Sequence, residues 1–260
     1  MNSSKTIRLG IISALNEEQQ GLVEAMESPH KLSHGMRDYT QGTLWGIDAV
    51  CVLSRIGKVA AAMTASILVE KFGVTHIVFT GVAGSADSGV RVGDIVVGES
   101  LVQHDMDATP LFPRFEVPLT GLSRFLSDST MSEQLSVSCR DFLESDFHDA
   151  ISVTEAKEFG ITRPQSHRGQ IGSGDQFISS RIHLGQLKEA LPDLLAVEME
   201  GAAVAQVCFE LGIPFTVMRT ISDNANEAAA LDFMRFVQAV ASRYAFFVVK
   251  RLCARLTAQC

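Results

Sequence analysis

The stretch "LPDLLAVEMEGAAVAQVCFELGIPFTVMRTISD", residues 191–223, reads as a strand, a helix and a second strand in turn. "LLAVEM" is the apolar run of a buried strand. "GAAVAQVCFELG" carries small and apolar residues at helical spacing and stops on Gly212, and "PFTVMRTISD" is apolar again until its last residues. The same alternation runs through most of the chain. "IRLGIIS" is a buried strand. A helix follows from Asn16, with Gln19 as its capping-box partner, to about Met26. "DYTQGTLWGIDAVCVLS" predicts two strands around a turn at Gly46 and Asp48, and "KVAAAMTASILVEKF" a helix that Gly73 ends. "HIVFTG" runs as a strand into the glycine-rich loop "GVAGSADSG", and "GDIVVGESLVQHD" gives one or two more strands. "RGQIGSG" is a strand, "IHLGQLKEAL" a helix and "DFMRFVQAVASRYAFFVVKRLCARL" a long terminal helix. Residues 109–165 are the least regular, with the proline-punctuated loop "TPLFPRFEVPLTG" followed by acidic helical material. Strands alternating with helices on both sides of a sheet predict a three-layer α/β/α sandwich. With no linker, repeat or low-complexity tract, residues 1–260 read as a single domain.

Composition narrows the class. The chain is 46% hydrophobic and 20% charged, which describes a soluble globular protein with ample core material. No apolar run reaches the roughly 18 residues of a membrane helix; "YAFFVV" is short and bracketed by Arg243 and Lys250. Two basic residues before "LGIISAL" imitate a signal peptide, but Asn16, Glu17 and Glu18 follow where a small-residue cleavage site belongs. The reading is the first strand of a cytoplasmic protein. Net charge is −8, from 22 basic and 30 acidic residues, without a Lys/Arg cluster, which argues against a nucleic-acid partner. The five cysteines include no CxxC pair, which fits a reducing compartment and speaks against a disulfide framework or a zinc knuckle.

Chemistry-bearing residues gather at strand ends, where ligands collect in open α/β sheets. Glu17 and Glu18 stand in the first turn of a helix, a position that the helix dipole alone favours for acids. "TGVAGSADSG" lacks the GK[ST] of a phosphate loop, and "GSGDQF" lacks the third glycine of a dinucleotide fingerprint. Glu198 and Glu200 lie two positions apart in a setting that should be dry; one suits a helix cap, and two caps are hard to accommodate. Arg219, Ser222 and Asp223 leave an apolar strand together, with Arg219 either a ligand contact or the partner of a nearby carboxylate. His104, Asp105 and Asp107 in "QHDMDAT" lack the second His or the Cys cluster expected of a metal site. GxSxG and HExxH are absent.

Taken in order, "GIISALNEE", "SRIGKVAAA", "TGVAG", "VGDIVV", "HDMDAT", "SGDQFI", "AVEMEGAAVAQVC" and "VMRTISD" resemble the methylthioadenosine/S-adenosylhomocysteine nucleosidases of the nucleoside phosphorylase superfamily. The resemblance spans nearly the whole chain and is weakest over 110–165. It implies a phosphorylase/hydrolase-like sandwich with a mixed central sheet. It also implies hydrolysis of the bond between adenine and a 5′-thio-substituted ribose, a homodimer, a small nucleoside as partner, and neither metal nor organic cofactor. By position, Glu18 resembles the general base that activates water and Asp223 the acid that protonates adenine N7. Met199 and Glu200 match the ribose-binding pair, Phe177 and Ile178 the adenine clamp, and Gly84 the loop beside the base. Arg219 and Ser222 fit the supporting shell, and Phe233 completes the substrate-binding set.

The residue types suit the reaction. Adenine leaves poorly as an anion, so a proton on N7 lowers the barrier, and a carboxylate-held water attacks C1′ from the opposite face, as in inverting glycoside hydrolysis. Three positions depart from the pattern. Arg55 in "SRIGK" stands where the nucleosidases commonly carry glycine, Val82 where many have serine, and "ATPLFPRFEVP" replaces an aromatic-rich stretch beside the 5′ substituent. Other readings stay open: a phosphate-dependent phosphorylase, a hydrolase of futalosine-type nucleosides, or a nucleoside-binding protein without turnover. Against the phosphorylase stands "NEE", whose carboxylates would repel phosphate. Arg37 and Arg55 are the cations within reach, with blander roles at a solvated strand edge and beside a carboxylate.

Overall fold

The computed structural model describes residues 7–258, so Cys260 and the segment before Ile7 lie outside the described residues. The first half contains β1 (Arg8–Ser13), α1 (Asn16–Glu24), β2 (Glu27–His34), β3 (Arg37–Leu44), β4 (Ile47–Leu53), α2 (Lys58–Glu70), β5 (His76–Phe79), β6 (Val82–Ser85) and β7 (Ile95–Gln103). Then come β8 (Phe125–Leu126), α3 (Ser129–Asp141), α4 (Phe147–Ala150), α5 (Val153–Glu158), β9 (Ser166–Ser173) and α6 (Arg181–Ala190). The chain continues through β10 (Leu194–Glu198), α7 (Gly201–Leu211), β11 (Phe215–Asp223), α8 (Ala229–Phe236) and α9 (Ser242–Thr257).

The strands form one 11-stranded mixed sheet in the order β2-β3-β4-β1-β5-β11-β6-β10-β9-β7-β8, with a further pairing between β11 and β7. That extra pairing closes β11, β6, β10, β9 and β7 into a ring. The seams where β10 meets β6 and β7 meets β11 are antiparallel, while β9 runs parallel to both β10 and β7. β11 spans the junction: its first half pairs with β5, and its second half runs along β6. Val197 lies opposite Gly84, and Gly84 opposite Asp223, so the ends of β10, β6 and β11 meet side by side.

Apolar side chains fill both faces. Leu9, Ile11, Ala49 and Cys51 pack into one cluster, mainly with α3 and α9, whereas Ile12, Val50 and Val52 pack into the other, with α2 and α7. This period-two division, buried on both sides, is why the strands read as near-continuous apolar runs.

Several elements differ from the sequence expectation. β2 is a strand where none was expected; it is almost wholly exposed, and its polar residues are held by antiparallel pairing with β3. Part of the glycine-rich loop is strand β6, because Ala83 and Gly84 pair with β10 and β11. The hairpin turns at Trp45 and Gly46, both in the left-handed region, rather than at Asp48, as a two-residue loop between right-twisted strands requires. In α1 the carboxylate that reaches back over the helix start belongs to Glu18. Gln19 instead donates to the carbonyl of Val52 at 3.1 Å. The long terminal helix carries a wider π-helical turn, Val237–Ala241, between α8 and α9.

Candidate active site

A single cavity gathers eight of the ten residues singled out from the sequence: Glu18, Gly84, Phe177, Ile178, Met199, Glu200, Asp223 and Phe233 all line it. Arg219 and Ser222 do not; they lie behind its wall. Lining residues to which the sequence analysis gave no role, such as Leu15, Ile56 and Gln176, lie inside the same motifs, and only their place beside the assigned residues marks them in the sequence.

The Glu18 carboxylate is fixed by the main chain. Its Oε2 accepts from the backbone N–H groups of Ala14 and Leu15, both at 2.8 Å, and its Oε1 from that of Val82 at 3.1 Å. Gly81 leaves room for it, since a Cβ there would stand 3.1 Å from Oε1. Burial pushes the Glu18 carboxyl above the usual range, and the three N–H donors and the Arg219 charge pull against that shift.

Asp223 ends β11. Its Oδ2 accepts from Ser222 Oγ and its Oδ1 from the Ala225 N–H, each at 2.8 Å. Burial raises this carboxyl also, with those two hydrogen bonds opposing. Gly84 is required by close approach: a Cβ would sit 2.9 Å from Asp223 Oδ1 and 3.1 Å from the Ala225 side chain. Across the cavity, Phe177 meets Phe233 edge to face with ring centroids 5.7 Å apart.

The two glutamates of "VEMEG" have different surroundings. Glu198 accepts from the backbone N–H groups of Glu200 and Gly201 at the start of α7, from Ser173 Oγ, and from Arg219. Arg219 is 1% exposed and pairs with Glu198 through Nη2 at 2.6 Å and Nε at 3.2 Å, while its guanidinium lies 4.0 Å above the Phe79 ring. The partner of Glu198 is therefore Arg219, and Glu198 is the glutamate that caps the helix. Glu200 instead points across to α2, where its Oε1 accepts from the Gly57 N–H at 2.8 Å. Burial, reinforced by the Glu198 carboxylate, raises its pKa strongly.

The cavity wall carries Glu18, Glu198, Glu200 and Asp223, and among the described residues lining it none is Lys, Arg or His. Both candidate phosphate cations are committed elsewhere. Arg37 is buried rather than at a solvated edge, donating to the carbonyls of Gly35, Ser54 and Ala60. Among the described residues Arg55 pairs with no carboxylate; its Nη2 donates to the Met36 carbonyl at 2.5 Å. The "QHDMDAT" side chains also diverge: His104 is buried against Gly174, Asp105 pairs with Lys58, and Asp107 accepts from Thr109.

Residues 8–253 match the phosphorylase superfamily model. A 5′-methylthioadenosine/S-adenosylhomocysteine nucleosidase of Shewanella frigidimarina is 30% identical over 246 residues, covering 95% of this chain and 99% of that one. The chain belongs to this nucleosidase family of the phosphorylase superfamily. The Neisseria meningitidis family member, solved in complex with methylthio-immucillin-A, superimposes with a TM-score of 0.83 at 31% identity, covering 95% of this chain and 99% of that one. The futalosine hydrolase of Helicobacter pylori is also similar, with a TM-score of 0.80 at 29% identity over 96% of this chain and 98% of that one.

Two departures from the family pattern acquire physical reasons. Arg55 has a φ of +69°, in the left-handed region, so the backbone favours glycine here and an arginine is strained. Val82 contributes its main-chain N–H to Glu18, a role independent of its side chain.

The buried pair generates a stability prediction. Arg219→Met leaves Glu198 without its countercharge and should cost about 3–5 kcal/mol. The Arg219→Met/Glu198→Gln double variant should lose clearly less than the sum of the two single losses. Urea denaturation of all three variants measures this, and additive losses would refute the coupling.

Proposed function

We propose that this chain, as one domain over its whole length, hydrolyses the N-glycosidic bond of 5′-methylthioadenosine and S-adenosylhomocysteine, releasing adenine. The observation that carries the reading is the pair of buried carboxyls, Glu18 and Asp223, in one cavity that no Lys, Arg or His among the described residues lines. Asp223, whose carboxyl burial raises, is the acid that protonates adenine N7 as the bond to C1′ lengthens. Glu18 takes a proton from the attacking water. Its Oε1 accepts one main-chain hydrogen bond and retains a lone pair for that water. Glu200 receives the ribose hydroxyls through the oxygen that Gly57 leaves free, beside Met199. Phe177, Ile178 and Phe233 enclose the base, with Gly84 allowing it to approach the main chain next to Asp223. Arg219 and Ser222 support the carboxylates from behind.

The resemblance to a futalosine hydrolase keeps a second substrate in view, because the base- and ribose-facing residues do not distinguish substituents at the 5′ position. Assaying both nucleosides side by side settles the choice. Faster release from methylthioadenosine supports the present reading.

Phosphate dependence is the direct test of the reaction class. In phosphate-free buffer the products should be adenine and free 5-methylthioribose, at a rate that added phosphate leaves unchanged. A strict phosphate requirement, with methylthioribose 1-phosphate formed, would place the reaction among the phosphorylases. Glu18→Gln and Asp223→Asn should each slow single-turnover release by about 10²- to 10⁴-fold while methylthioadenosine still binds. Rates near wild type in both would overturn the acid and base assignments.

The proposed assembly is a homodimer working in the cytoplasm. No described helix is long and apolar enough to cross a membrane. Phe115 and Val117 of the proline-punctuated loop are buried within the chain, but Leu111 is 84% exposed, and Val59 at the start of α2 is 82% exposed. Covering such apolar residues favours association. Light scattering should give twice the chain mass at assay concentration, and a fully active monomer would count against it.

A further inference from the structure

Beside the cavity, three charged residues from three separate parts of the chain form a closed cycle. Lys58 opens α2, Asp105 follows β7, and Asp175 follows β9. The Lys58 backbone N–H donates to Asp175 Oδ1 at 2.8 Å, and the Asp175 backbone N–H donates to Asp105 Oδ2 at 2.8 Å. Lys58 Nζ then donates to Asp105 Oδ1 at 2.6 Å, closing the ring. The Lys58 and Asp105 side chains are 15% and 26% exposed, so water and salt screen this pair less than a surface ion pair. Although burial pushes the Asp105 carboxyl up, the Lys58 ammonium and the Asp175 N–H hold it below the usual carboxylate range.

The cycle joins the two halves of the cavity. The residue before Lys58 is Gly57, whose N–H holds Glu200. Two residues after Asp175 comes Phe177. Successive N–H groups at the start of α2 thus bind one carboxylate from the sugar-facing half and one from the base-facing half. Gly57 has a φ of +98°, and a Cβ there would lie 3.2 Å from Asp175 Oδ1, so a side chain would be strained and would press on that carboxylate.

We propose that Lys58, Asp105 and Asp175 are positioning residues that hold Glu200 at a fixed spacing from the Phe177–Ile178 loop before substrate arrives. The proposal rests on the nucleoside reading given above. Without the cycle, the start of α2 and the 175–178 loop must be ordered during binding. That cost falls equally on the bound ground state and the transition state, so it raises KM and leaves kcat nearly unchanged.

The variants are Lys58→Met, Asp105→Asn, their combination, and Lys58→Arg, which keeps the charge. For methylthioadenosine, KM should rise about tenfold in each neutralising single variant, as for loss of one charge-assisted hydrogen bond. Their kcat should stay within about threefold of wild type. The double variant should be little worse than Lys58→Met, because both changes open the same ring, and Lys58→Arg should recover most of the affinity. Calorimetry with free adenine should show a parallel weakening, independently of turnover. Unchanged KM and unchanged adenine affinity would overturn the proposal, as would a lowered melting temperature as the sole effect. A wild-type protein that binds adenine but does not cleave methylthioadenosine would defeat the substrate reading, while the adenine affinities of the variants would still test the cycle.

Discussion

The ion pair between Arg219 and Glu198 is the constraint on which the rest of the site depends. Arg219 comes from the middle of β11, Glu198 from the end of β10, and the guanidinium also donates to the Phe79 carbonyl at the end of β5. The Ser173 hydroxyl adds β9, and the Gly201 N–H adds α7. One buried ion pair thereby ties four strands and a helix at the place where the sheet curls into its ring. Desolvating both charges is expensive, so the pair is poor evidence of a large net gain in stability. Its contribution is to arrangement: a slip of β10 against β6 would part Glu198 from Arg219 and carry Glu200 away from Gly57. The same positive charge also counteracts the effect of burial on Glu18 and Glu200, in a cavity whose own lining offers no cation.

The layered architecture is legible in the sequence because most strands are buried on both faces and most helices carry small apolar residues at helical spacing. What escapes is whatever depends on pairing alone. The polar strand β2 has no apolar face to announce it, and β6 reads as a flexible loop because Ala83 and Gly84 have little side chain to reveal a strand. The ring closed by β11 and β7 is a long-range fact that no local pattern encodes.

At the site, motif order brings out most cavity residues, since Glu18, Gly84, Phe177, Ile178, Met199, Glu200 and Asp223 converge on one lining, which Phe233, from beyond the last motif, joins. The distinction between the two glutamates of "VEMEG" needs the third dimension, because Arg219 lies 21 residues from Glu198 along the chain. Arg37 misleads for a related reason: it stands in a polar run on a strand, yet its guanidinium turns inward to satisfy three carbonyls that a solvated edge would have left to water.

The way Glu18 is held bears on how far sequences of this kind can diverge. Each of its hydrogen-bond donors is a peptide N–H, supplied by Ala14, Leu15 and Val82. Every residue except proline offers the same peptide N–H, so other replacements at these positions leave the anchorage of the carboxylate in place as long as the backbone path is kept. A valine can thus stand at 82 without removing a ligand of the carboxylate. Drift in the surrounding sequence is absorbed as changes in pocket shape, while the placement of Glu18 is inherited through the fold itself.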